Sequence, residues 1–231
     1  MFRTRVLPFL LLFLAAAGVL MVLGFRNPPD PDPQIAPASE QTADPDDWRL
    51  VLVNAQHPIQ EDDQPELAQL ENGLSLDQRC IPALNAMLEA CRAAGLSPVV
   101  CSAYRTWEKQ ARLFSAQADK LLTQGYSQEA AQREASRYVA APGASEHQLG
   151  LAADIVDQSY QSLDENQADT PVQQWLMAHC WEYGFILRYP PEKSDLTGVI
   201  YEPWHYRYVG REAAGAITRQ GICLEEYLAQ I

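Results

Sequence analysis

The longest apolar run in the chain comes first. Residues 6–25, VLPFLLLFLAAAGVLMVLGF, carry no charge, and twenty residues of helix reach roughly 30 Å, the thickness of a bilayer's hydrocarbon core. Arg3 and Arg5 precede the run, which favours residues 1–5 on the cytoplasmic side. No A-x-A-like site closes it before Arg26, so a retained transmembrane signal anchor is expected rather than a cleaved signal peptide. Residues 26–47 turn Pro-rich and acidic, with almost no bulky apolar side chain. Such a segment cannot bury a core and reads as an extended linker. The pattern changes again near Trp48, and 48–231 is the expected folded domain.

Within that domain the apolar period switches between strand and helix. WRLVLVN (48–54) predicts a short strand and SPVVCSAY (97–104) a buried one. Between them Cys80, Leu84, Met87, Leu88 and Cys91 recur at helical spacing, and Gly95 stops the helix. Thr106 is placed to cap a helix through Leu122, with Trp107, Ala111, Phe114, Ala118 and Leu121 on one face and Gly125 as its stop. Ser127 can cap another, running to about Tyr138. LGLAADIVD (149–157) reads as a strand. Pro171 opens a helix to about Tyr183, ended by Gly184. FILRY (185–189) and WHYRYVG (204–210) read as strands, and a helix follows from about residue 211. Helices gather early and strands late, which predicts an α+β fold with a small antiparallel sheet and helices packed on one side.

Composition narrows the function. The formal net charge is −13, which argues against a nucleic-acid partner and against a polybasic membrane-surface module. The five cysteines, at 80, 91, 101, 180 and 223, are odd in number and scattered. They form no disulfide framework and no C-x-x-C zinc pair, and are expected to be small buried hydrophobes.

Two polar groups interrupt the apolar pattern in a way that needs explaining. His147 stands seven residues before Asp154 in GASEHQLGLAADIVD. A carboxylate inside an apolar strand is costly to bury unless it is paired or bound to a metal. The second group is YEPWHYRYVG (201–210), where Glu202 precedes His205 by three. His147, Asp154 and His205 supply two imidazoles and one carboxylate, a set suited to a catalytic zinc, which takes three protein ligands and keeps one open position. Glu202 is then the candidate base. Residues three or seven apart on a strand point oppositely, so His147 is expected in the loop before its strand, and Pro203 is expected to turn the chain so that Glu202 and His205 converge. Arg105, between a buried strand and a helix cap, can hold a carboxylate or carbonyl oxygen through its planar fork. The other histidines read as structural: His179 as core with Val172, Trp175, Leu176 and Tyr183, and His57 as a loop residue.

SAYRTWEKQ, GASEHQLGLAADI, YGFILRYP and YEPWHYRYVG, in this order and spacing, resemble the VanY-type D-alanyl-D-alanine carboxypeptidases over about residues 50–227. The resemblance implies the small α+β fold shared with the hedgehog signalling domain, and a zinc peptidase acting on bacterial peptidoglycan stem peptides. It implies His147, Asp154 and His205 as zinc ligands and Glu202 as base. Arg105 would stabilise the oxyanion or hold the substrate carbonyl, and Tyr104, Gln110 and Ser145 would line the substrate site. Thr106 stands where serine is common in the family, a change that keeps the hydroxyl and the cap. Together with the anchor, this places the catalytic domain outside a bacterial cell membrane crossed once. Related activities share such a centre: an L,D-carboxypeptidase, a D,D-dipeptidase or an endopeptidase. A zinc-containing wall-binding domain without turnover is a further alternative, and it would have no need of a base at Glu202.

Overall fold

A computed structural model describes residues 47–231; the anchor expected at 6–25 and the linker before residue 47 lie outside the described residues. Among the described residues no helix is long and apolar enough to cross a membrane. The elements run β1 (Leu67–Gln69), β2 (Ser75–Asp77), α1 (Ile81–Ala93), β3 (Pro98–Ser102), α2 (Trp107–Thr123), α3 (Gln128–Ala135), β4 (Ala152–Asp157), α4 (Pro171–His179), β5 (Phe185–Leu187), α5 (Ser194–Thr197), β6 (His205–Tyr208), α6 (Arg211–Gln220) and α7 (Leu224–Leu228). The fold is α+β, with four strands in the order β3-β4-β6-β5, every neighbour antiparallel.

Local chemistry places several of these elements. Thr106 accepts from the Lys109 N–H at 3.1 Å and starts α2. Ser127 does the same for Ala130 at the start of α3. Pro171 opens α4 behind the Thr170 cap, and a 3₁₀ turn, Cys180–Tyr183, carries the chain to Gly184 in the left-handed conformation. β4 is buried along all six residues, which explains its nearly unbroken apolar sequence. Ala153, Ile155 and Tyr206 turn to one face and join Leu84, Met87 and Leu88 of α1 and Val172 and Leu176 of α4 in the main core. Ile186 turns to the other face and packs with Ala213, Ala214 and Ile217 of α6 and Leu224 and Tyr227 of α7, so helices cover both faces of the sheet and not the one side expected.

Three further sequence expectations are corrected. WRLVLVN is not a strand. Asp47 accepts from the Arg49 N–H and Leu50 N–H bonds back to the Asp47 carbonyl, so Trp48–Leu50 form a 3₁₀ turn. The carbonyls of Arg49 and Val51 are then taken by the Arg207 guanidinium, at 2.9 and 2.8 Å, instead of by a neighbouring strand. His179 is not core: its side chain is 42% exposed, stacks on Trp175 and bonds Glu182 at 2.7 Å. Four cysteines are buried, but Cys101 is exposed, at the irregularity between Val100 and Ser102 where β3 slips against β4. The β1–β2 hairpin is an element that the sequence pattern does not predict.

Gly150 joins this framework to the site. It closes the turn Glu146–Leu149 with φ +67°, and Asp77 N–H bonds its carbonyl at 3.0 Å. A Cβ there would meet the Asp77 nitrogen at 2.8 Å, backbone that cannot swing aside. Gly73 shares the left-handed backbone, with φ +82°, but has nothing within 4 Å. Gly73→Ala is therefore expected to lose about 1 kcal/mol of stability from backbone strain alone. Gly150→Ala is expected to lose at least about 1 kcal/mol more. Urea unfolding of the two variants measures the difference, and equal losses would remove the steric argument.

Candidate metal centre

β4 and β6 pair with Asp154 directly opposite His205. Both side chains therefore leave the same face of the sheet, opposite the main core. His147 arrives from the 3₁₀ turn ahead of β4, as its spacing required. Two contacts with the segment after β3 fix it: its Nδ1–H donates to the Ala103 carbonyl at 2.7 Å, and its own carbonyl accepts from Arg105 N–H at 3.1 Å. With Nδ1 committed, Nε2 points at Asp154 Oδ1, 3.2 Å away. His205 presents the other nitrogen. Its Nδ1 lies 3.1 Å from the same oxygen, while its Nε2 faces Glu146.

These donor atoms of His147, Asp154 and His205 all lie within 4.8 Å of one another, and the three residues are buried. A tetrahedral zinc with bonds of about 2.0–2.2 Å holds its ligand atoms roughly 3.3–3.5 Å apart, so spacing and donor chemistry both fit. The second Asp154 oxygen is taken by Arg105 Nη2 at 2.5 Å, and Arg105 Nε bonds Ser102 Oγ at 3.0 Å. The turn through Pro203 brings Glu202 to the same point: His205 N–H bonds the Glu202 carbonyl at 3.1 Å, and Glu202 Oε2 lies 3.7 Å from His205 Nδ1.

The electrostatics separate these groups. Burial pushes the Glu202 carboxyl up to about 8, against the pull of His205. Burial, helped by the Arg105 charge, lowers His147 to about 4. For His205 burial acts the same way, but hydrogen bonds to Asp154 and Glu146 outweigh it and raise the ring to about 9. Burial also opposes the Asp154 charge, yet His147, His205 and Arg105 hold its carboxyl well below the usual range.

Arg105, Ser145, His147, Asp154, Glu202 and His205 all line one cleft of about 490 Å³. The cleft continues along α2 past Leu113 and Gln117 to Lys120. Tyr104 and Gln110 are not among its lining residues. Tyr104 bonds Gln64 through its hydroxyl, and Gln110 is buried with its amide nitrogen on the Ala140 carbonyl. Glu146, Arg188 and Arg207, not among the residues expected at the site, stand buried behind His205. The signal was present. Arg188 in FILRY and Arg207 in WHYRYVG are charges inside apolar strands, the same anomaly that singled out Asp154.

A buried His–Asp–His set on the wall of a cleft, with an ionisable carboxyl beside it, defines a metal-dependent hydrolase centre. The VanY D-alanyl-D-alanine carboxypeptidase family model matches residues 73–211, and a D-alanyl-D-alanine carboxypeptidase of Enterococcus faecalis is 47% identical over 194 residues, 84% of this chain and 70% of that protein. The chain belongs to the VanY D-alanyl-D-alanine carboxypeptidase family, and zinc is the metal of this site. Two solved structures are similar throughout the domain. One is a vancomycin-resistance D,D-pentapeptidase VanY variant from a VanB-type cassette in complex with Zn(II), at 47% identity and TM-score 0.71, covering 78% of this chain and 99% of that one. The other is VanYB in complex with D-alanine-D-alanine, at 48% identity and TM-score 0.72, covering 79% and 98%.

Asp154→Asn keeps the shape of the triad but removes the anion that both imidazoles and Arg105 address. Wild-type protein is expected to retain about one zinc per chain through dialysis and to lose peptidase activity on chelation, regaining it with added zinc. Asp154→Asn is expected to emerge from the same dialysis with almost none. Metal analysis by mass spectrometry reads both results, and full activity in zinc-free wild type would remove zinc from the mechanism.

Proposed function

We propose that this chain removes the C-terminal D-alanine from peptidoglycan stem peptides, with Glu202 as the proton carrier and Arg105 as the group that steadies the scissile carbonyl. The observation that carries the reading is the Glu202 carboxyl, buried in the cleft wall 3.7 Å from the ligand atom of His205. His147, Asp154 and His205 would hold the zinc, which when bound supplies a Lewis acid that polarises the carbonyl and acidifies water. A zinc domain that only bound cell wall would have no need of that carboxyl.

Glu202 takes a proton from the attacking water as its oxygen adds to the carbonyl carbon. It then returns that proton to the amine nitrogen as the C–N bond breaks, releasing D-alanine. Burial that lifts the carboxyl toward neutrality suits both directions of transfer. Arg105 is anchored through Nε and Nη2 to Ser102 and Asp154. Its Nη1 then donates to the carbonyl oxygen as negative charge builds there. Ser145 lines the cleft beside them, and the rest of the stem lies along α2 toward Lys120. Gln110 supports the cleft from behind by holding the carbonyl of the cleft residue Ala140.

The uncharged run 6–25 supports a single-pass anchor that leaves the catalytic domain outside the cell membrane. Full-length protein found in the soluble fraction after lysis without detergent would remove that part of the reading.

Mass spectrometry of stem tetrapeptides and pentapeptides after incubation tests the activity: loss of one D-alanine from the pentapeptide is expected. In that assay Glu202→Gln is expected to keep its zinc while the rate falls by roughly two to four orders of magnitude; loss of the metal instead would make Glu202 a ligand. Arg105→Lys keeps the charge but not the planar fork. It is expected to lower kcat/KM at least about tenfold with the unfolding midpoint little changed, and wild-type kinetics would remove Arg105 from the reaction.

A further inference from the structure

The carboxylate of Glu146 lies directly behind His205 and is fully buried. Its two oxygens have different partners. Oε1 accepts from Arg188 Nε and from Arg207 Nη1, each at 2.7 Å. Oε2 lies 3.3 Å from His205 Nε2. Both guanidiniums are buried as well. Arg188 is held at its far end by Glu225, at 2.9 and 2.6 Å. Arg207 Nη2 is held by the carbonyls of Arg49 and Val51. The two carboxylates and two guanidiniums balance in charge, so the group can be buried without a net ion. Opposite Arg207 in the strand register stands Ala152, whose small side chain leaves room on that face.

This arrangement has a chemical consequence for the metal ligand. For His205 Nδ1 to offer a lone pair at neutral charge, the ring proton must sit on Nε2. A carboxylate at Nε2 selects that tautomer, fixes the ring plane and makes Nδ1 more electron-rich. If Glu146 served only to neutralise two arginines, neither oxygen would need to face the ring. The division of its oxygens, one for both arginines and one for the imidazole, joins the two roles.

We propose that Glu146 is a positioning residue for the metal: it sets the His205 tautomer, and Arg188 and Arg207 set Glu146. Through Arg207 the support extends to the backbone of Arg49 and Val51, so the first residues of the domain take part in holding a zinc ligand. The proposal rests on the zinc reading of the site and adds residues to which that reading gives no task.

The test uses the full-length chain and Glu146→Gln, with zinc affinity measured by competition against a chromophoric chelator and ligand geometry by the visible absorption of the Co(II)-substituted protein. A glutamine can offer its oxygen to the ring or to the arginines but not to both. Zinc affinity is expected to fall by about 10–100-fold, with a changed Co(II) band and an unchanged far-UV circular dichroism spectrum. A folded variant with wild-type affinity and wild-type Co(II) absorption would overturn the proposal. A second measurement needs no variant. The chain has four histidines, so ring-nitrogen NMR of zinc-loaded wild type can assign each tautomer. His205 is expected to bind metal through Nδ1 and to carry a hydrogen-bonded Nε2 proton, and the absence of that proton would overturn the proposal even if Glu146→Gln failed to fold. Wild type that bound no zinc would instead sink the functional reading itself.

Discussion

Asp154 and His205 face each other across adjacent antiparallel strands, and the metal centre depends on that register. Side chains alternate along a strand, so a slip of one residue between β4 and β6 would send one of the two to the opposite face. The main core guards against the slip. Ala153, Ile155 and Tyr206 are buried in it, and a slip would drive polar ligands into that layer. Packing of one face thus aligns the ligands on the other. His147 needs only a short turn to reach them, and Gly150 allows that turn to close against Asp77.

The site concentrates charge where water is scarce. Asp154, Glu146, Arg188 and Arg207 are all nearly inaccessible, and an isolated buried ion would cost several kcal/mol. Each has a specific partner. Asp154 is shared among His147, His205 and Arg105, and Glu146 among His205 and two arginines. Glu202 is the exception. His205 approaches it at 3.7 Å, but burial outweighs that pull and its carboxyl is pushed up. The same burial that is compensated at Asp154 and Glu146 prevails at Glu202 and favours its neutral form. The difference in charge state between Asp154 and Glu202 follows from their neighbours, since both are carboxylates in one cavity wall.

Much of this was legible in the sequence, for identifiable reasons. Helices α2, α3 and α4 announced themselves through Thr106, Ser127 and Pro171, whose effects are local. The strand β4 showed as an apolar run, and Asp154 as an anomaly within it. His147 and His205 became a pair only when spacing and the strand period were considered together. What escaped depended on distant partners. The segment after Trp48 has the alternation of a strand, but its carbonyls are claimed by Arg207, more than 150 positions later. The β1–β2 hairpin has three residues per strand, too few to show a period. His179 sits at helical spacing with apolar residues, yet a local bond to Glu182 draws it outward. Nothing in the local sequence marks Glu146, whose partners Arg188 and Arg207 stand 42 and 61 residues away.

The three ligands come from parts of the chain that meet only when it is folded; Asp154 and His205 are 51 residues apart. An unfolded chain offers zinc no such cluster, so the free energy of binding is also free energy of folding. A cation present at a thousand times its dissociation constant would deepen the native well by about 4 kcal/mol, a large share of the margin by which a domain of this size ordinarily stays folded. Zinc supply would then bear on how many molecules stay folded as well as on how many can react.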